Sequence, residues 1–142
     1  MTHFADRLLE ACDRKGAPVC VGLDPVLGRL PANLAARDDP TAAIEAFCFG
    51  VIEAVAGFVP AIKPQSACFE RYGPAGLAVY DRVVAGARDA GLVVIGDAKR
   101  GDIGASAAHY AAGCLADADG RPGPDALTIN SYFGADGLEP FI

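Results

Sequence analysis

The stretch Leu92-Val93-Val94-Ile95-Gly96-Asp97-Ala98-Lys99-Arg100-Gly101-Asp102-Ile103-Gly104 passes from an unbroken apolar run straight into a cluster of charge. The run is β-branched and too short for a helix. Continuous apolarity, as opposed to strict alternation, marks a strand buried on both faces, and such strands belong to parallel sheets. The charged residues fall where this strand ends. Open α/β sheets and (β/α) barrels place their active sites at the C-terminal ends of their strands.

Three further apolar runs repeat the pattern: Pro18 to Leu23, Phe58 to Ile62 and Ala126 to Ile129. Helical stretches lie between them. Phe4 to Lys15 ends at Gly16, a C-terminal cap. Asp39-Pro40-Thr41 opens a helix to about Ala56, with Gly57 after it. Pro74 to Ala90 forms another, closed by Gly91, and Ala105 to Ala116 the next. Asp117 to Asp125 reads as a turn-rich loop. The order α-β-α-β-α-β-α-β predicts a parallel sheet with helices outside it. The terminal Pro140-Phe141-Ile142 reads like the start of another helix.

Composition narrows the function classes. Just over half of the 142 residues are hydrophobic, enough for a packed core. The net charge of −6 offers no footprint for nucleic acid or an anionic membrane. No apolar run approaches a membrane span. The amino-terminal segment lacks a signal-peptide core. Five cysteines without a C-x-x-C pair, and two histidines, give little material for a zinc site. They read as reduced thiols of a cytoplasmic protein.

A polar residue stands at each strand end: Asp24, Lys63, Asp97 with Lys99, and Asn130. On extended chain Asp97 and Lys99 point to one face, and Asp102 follows after a glycine turn. Lys63, Asp97, Lys99 and Asp102 would form an alternating, neutral Lys-Asp-Lys-Asp array, which lowers the cost of burying it. Each lysine beside a carboxylate stays protonated, and each carboxylate stays ionised. Such an array presents a fixed ammonium to a negative charge forming on a substrate and can deliver a proton there. The plainer alternative for residues 97 to 102 is a solvated loop with surface ion pairs. Asp24-Pro25 and Lys63-Pro64 also read as turn openers, and Asn130 as the cap of the next turn.

Three segments, Val21-Gly22-Leu23-Asp24-Pro25, Ala61-Ile62-Lys63-Pro64-Gln65 and Asp97 to Gly104, resemble in order the first three strand-end motifs of orotidine 5′-phosphate decarboxylases. The K-P-Q and D-A-K-R-G-D-I-G wording, with Thr128 to Gly134, is similar to the larger bacterial subclass. The resemblance implies a TIM-type parallel (β/α) barrel. Residues 1–142 would form a single partial domain with only the first four βα units, a half-barrel fragment. It implies decarboxylation of orotidine 5′-phosphate to UMP and carbon dioxide in pyrimidine biosynthesis, without cofactor or metal. Lys99 would be the proton donor, Asp97 would sit against the substrate carboxylate, and Lys63 would bridge Asp97 and the ribose. Asp24 would bind a ribose hydroxyl. Asp102 would reach the partner's site in a homodimer. Ser106 stands where the family often has Thr, and Asn130 joins the substrate-binding set.

A full barrel typically needs about 250 residues, and its phosphate site usually follows strands seven and eight. Two other readings therefore stand: an inactive or partner-dependent fragment, and a magnesium-dependent sugar-phosphate decarboxylase of the same suprafamily, 3-keto-L-gulonate 6-phosphate decarboxylase. The latter carries an acidic residue at the end of strand two. Lys63 stands there instead, and a cation disfavours a metal site.

Overall fold

The computed structural model describes residues 3–115 and 123–142. Four parallel strands, β1 (Cys20–Leu23), β2 (Ala61–Pro64), β3 (Val93–Arg100) and β4 (Ala126–Ile129), lie in the order β1-β2-β3-β4. Consecutive order in a parallel sheet has a consequence. Right-handed crossovers then place every connecting helix on one face, which is the winding of a barrel wall. A doubly wound sheet reverses its order instead. Helices α1 (Phe4–Lys15), α2 (Ala32–Ala35), α3 (Pro40–Val55), α4 (Ala67–Glu70), α5 (Gly73–Asp89), α6 (Gly104–Leu115) and α7 (Gly134–Leu138) complete the described elements, with short 3₁₀ turns between them.

The helix limits follow the caps. Gly16 ends α1 in the left-handed conformation at φ 64°, a position that favours glycine. The Asp39 carboxylate accepts from the Thr41 amide ahead of α3, and Pro40 occupies its first turn. The sequence expectation places β2 too early. Phe58 is exposed and lies in a turn, and the strand runs through Lys63 and Pro64. β3 likewise continues through Asp97 to Arg100. In both cases the ladder partner, not the side-chain hydropathy, decides where the strand stops: β2 pairs with β1 up to Leu23↔Pro64. Pro140 does not start a helix. The chain turns helical earlier, at Gly134, and Pro140 falls in a closing 3₁₀ turn. Ala116 and most of the expected loop lie outside the described residues.

The main core lies between sheet and helices. Leu23, Ile62 and Val94 point outward from neighbouring strands and meet Ile44, Cys48 and Ile52 of α3 and Val79, Val83 and Val84 of α5. Phe69 is fully buried and packs edge-on against Tyr80 at 5.4 Å. Burial pushes the Cys48 thiol up to about 12, so it packs as a hydrophobe. All five cysteines are free thiols. On the other face α1 seats Phe4, Leu8 and Ala11 against Ala61 and Val93, the first residues of β2 and β3, and so closes the N-terminal end of the sheet. Among the described residues no helix is long and apolar enough to cross a membrane.

Asp125 fastens that same end. Its buried carboxylate pairs with Arg7 of α1, lies 3.9 Å from Arg88 of α5 and accepts from the Val94 amide at 2.8 Å. Its own amide donates to the Val94 carbonyl at 2.8 Å. One residue thus ties two helices to two strands. Asp125→Ala is expected to lower unfolding free energy by about 2–4 kcal/mol, since it takes the carboxylate away from the buried Val94 amide and from the Arg7 and Arg88 guanidinium groups. Urea unfolding measures this, and a loss under about 0.5 kcal/mol would show that the clamp contributes nothing.

Candidate active site

The face of the sheet turned away from the main core carries the polar groups. Alternation along β2 and β3 puts Ala61 and Lys63, and Val93, Ile95 and Asp97, on one side. Asp97 is the hub. Its Oδ2 accepts from Lys63 Nζ at 2.5 Å and from Gln65 Nε2 at 3.2 Å. Its Oδ1 accepts from Lys99 Nζ at 2.5 Å and from Thr128 Oγ1 at 2.9 Å. Donors from the ends of β2, β3 and β4 therefore converge on one carboxylate.

Alternation carries Lys99 to the face of Asp97, but β3 is irregular where it does so. Gly96 pairs with Leu127 and Arg100 with Ile129, so β3 holds two more residues than β4 in this interval. The excess forms a bulge over Asp97, Ala98 and Lys99. Lys99 sits in it with φ 50°, the single positive φ of a non-glycine residue among those described. A lysine there carries strain of about 1–3 kcal/mol, and such strain collects at functional sites. Thr128 repairs the ladder: its hydroxyl accepts from the Lys99 amide at 3.0 Å while donating to Asp97.

The electrostatics follow from the geometry. Asp97 retains only 8% of its side-chain exposure, against 33% for Lys63 and 65% for Lys99. The carboxylate is buried, while both lysine side chains keep contact with solvent. Lys63, then Lys99 and Thr128, hold the Asp97 carboxyl far below the usual carboxylate range, against the desolvation that would raise it. The bond to Asp97 raises Lys63, with a smaller contribution from the charge of Asp24. Both groups stay ionised through neutral pH.

The remaining expected site residues are placed as follows. Asp24 is exposed just after β1, close enough for its charge to act on Lys63. Asp102 does not join the Lys63–Asp97–Lys99 cluster. Its carboxylate accepts from the Ile103 amide, and it lines a groove with Ser106, His109 and Tyr110. The four-charge array is thus a three-charge cluster within this chain, because the chain turns outward after the bulge. Ser106 is exposed on the first turn of α6. Asn130 accepts from the Tyr132 amide and caps the following turn, the plainer of its two readings. Gln65 and Thr128 were not expected in the site. Thr128 had a legible signal, a lone hydroxyl in the apolar run Ala126-Leu127-Thr128-Ile129.

A singly wound parallel sheet with a charged cluster at its C-terminal strand ends defines the class: a (β/α)-barrel type of protein with its chemistry at that rim. Residues 17–142 match the family model described as Orotidine 5'-phosphate decarboxylase / HUMPS family. An orotidine 5′-phosphate decarboxylase of Rhodopirellula baltica is 47% identical over 151 aligned positions, covering all of this chain and 50% of that protein. One of Streptomyces coelicolor is 45% identical over 142, with the same coverage. A crystal structure from Streptomyces avermitilis superimposes with a TM-score of 0.87 at 44% identity, over 99% of this chain and 48% of that one. The Leishmania donovani OMP decarboxylase superimposes with 0.77 at 35% identity, over 99% and 49%. The chain belongs to the orotidine 5′-phosphate decarboxylase / HUMPS family. It spans about half the length of the curated relatives it matches.

The low folded value of Asp97 makes a pH prediction. A lowered carboxylate contributes stability that is fully present above its unfolded value near 4 and fades as pH falls toward the folded one. The raised Lys63 contributes below the ordinary lysine value near 10.4 and fades as pH rises through the folded one. The stability gap between the parent and Asp97→Asn is expected to be about 1–3 kcal/mol and flat from about pH 5 to 9. It should then shrink by about 1.4 kcal/mol per unit below about pH 4. Urea unfolding across pH measures it. A gap as large at pH 3 as at pH 7 would count against the cluster.

Proposed function

We propose that these 142 residues form one partial barrel domain that supplies the charged rim of an orotidine 5′-phosphate decarboxylase. The observation that carries this is the Asp97 carboxylate held between Lys63 and Lys99 at 2.5 Å each. Loss of carbon dioxide from the pyrimidine ring leaves an electron pair on carbon with little delocalisation. A fixed ammonium beside that carbon stabilises the charge and then protonates it. Lys99 is assigned this role because its side chain is the most open of the cluster. Asp97 orders both lysines and faces the departing carboxylate. Lys63 spans from Asp97 to the ribose, and Asp24 takes a ribose hydroxyl. No cofactor or metal enters the scheme.

Asp102, turned away from the cluster, is assigned to the site of a second subunit, which makes the working form a homodimer. Ser106 and Asn130 are assigned to substrate contacts near the same rim. A cytoplasmic location fits a pyrimidine nucleotide substrate. The relatives' names support the substrate class, and the binding energy of a distant phosphate would be spent at the reacting carbon.

The test is the loss of orotidylate absorbance with formation of UMP. The chain is expected to turn over slowly, because barrels usually build their phosphate site after strands seven and eight and the described residues form four strands. Lys99→Ala is expected to lower that rate by about 10²–10⁴-fold. Turnover that survives Lys99→Ala unchanged removes the assignment.

A further inference from the structure

We propose that Arg100 is a positioning residue that holds Lys99 in its left-handed backbone conformation from the helix side of β3. The bulge leaves the Ala98 carbonyl beside Lys99 outside the regular ladder, and a backbone carbonyl without a ladder partner needs another donor. Arg100 Nη1 supplies it at 3.0 Å, reaching back over Lys99 to the residue two positions earlier. The guanidinium is also held by its second terminal nitrogen and by a ring contact, while its buried Nε has no hydrogen-bond partner among the described residues. Nη2 donates to Glu70 at the end of α4, and the group lies over the Tyr110 ring of α6 at 5.8 Å. The Arg100 backbone is fixed too, its carbonyl accepting from the Asn130 amide at 2.7 Å. With Thr128 holding the Lys99 amide at 3.0 Å, the strained residue is gripped on both sides. A planar, multiply donating group suits this task and an ammonium does not.

The consequence for turnover rests on the decarboxylase reading; the backbone readout does not. In the isotope-labelled chain, the coupling between the Lys99 amide and α protons reports φ, and hydrogen exchange of that amide reports its bond to Thr128. In Arg100→Gln the coupling is expected to move toward the extended-chain value and the Lys99 amide to exchange about tenfold faster or more, with core amides such as Val84 unchanged. Arg100→Lys is expected to behave like Arg100→Gln. Glu70→Gln, which keeps Arg100 but frees its anchor, is expected to shift both signals the same way by less, and it carries the test if Arg100→Gln does not fold. Where turnover is measurable, kcat in these variants should fall about tenfold while KM stays within about threefold. Coupling and exchange unchanged in folded Arg100→Gln overturn the proposal, whatever the kinetics. Lys99 signals that shift as described, in a chain whose turnover survives Lys99→Ala unchanged, support the positioning role and remove the decarboxylase assignment instead.

Discussion

Two ammonium groups brought to the same rim repel each other and resist leaving water. The Asp97 carboxylate resolves both problems at once. It accepts four hydrogen bonds, two of them from lysines, and among the described residues no other joins the ends of β2, β3 and β4 in this way. Buried charge is tolerable when it is paired and its lone pairs are filled. Without the carboxylate, Lys63 and Lys99 would turn out to solvent and the rim would lose its fixed field. The surrounding structure serves this one acceptor. Gln65 and Thr128 take the lone pairs that the lysines leave.

The division of labour along the strands follows from their alternation. Outward residues such as Ile62 and Val94 join the helix-packed core, while their neighbours Lys63 and Asp97 face the other side. A polar cluster can therefore sit directly beside a dry core without interrupting it. Lys99 bonds to Asp97 from within the bulge of β3, on the face that the two-residue spacing gives it. Gly96 marks the start of that departure. A Cβ there would stand 2.9 Å from both the Tyr80 hydroxyl and Pro124, so only glycine lets the strand lie this close to the helix layer.

The sequence was most informative where one physical pattern repeated. Four apolar runs separated by capped helices fixed the parallel α/β class, and the caps at Gly16 and Asp39 located two helix ends correctly. Strand ends were harder. Lys63 and Lys99 look like residues beyond a strand because they are charged, yet backbone pairing carries β2 and β3 through them. Hydropathy does not report a hydrogen-bond ladder. Charge counting put Asp97, Lys63 and Lys99 together and overreached at Asp102, because the left-handed turn of Lys99 redirects the chain and no composition rule encodes that. Thr128 and Gln65 stayed hidden for a related reason: neutral hydrogen-bonding residues show their role only once the acceptor they face is known.

Asp125 and Asp97 lie near opposite ends of the same strand contacts, one fixing Val94 to the helices below and the other gathering the rim above. A one-residue slide of β3 would exchange its two faces. Ala98 would then stand where the carboxylate belongs, and Val94 would lose both its bonds to Asp125. The lower clamp is therefore a gauge for the upper chemistry. It lets an exposed, strained lysine be placed to within ångströms by an anchor that never approaches it. Helix α1, far from the rim, thereby takes part in aiming Lys99.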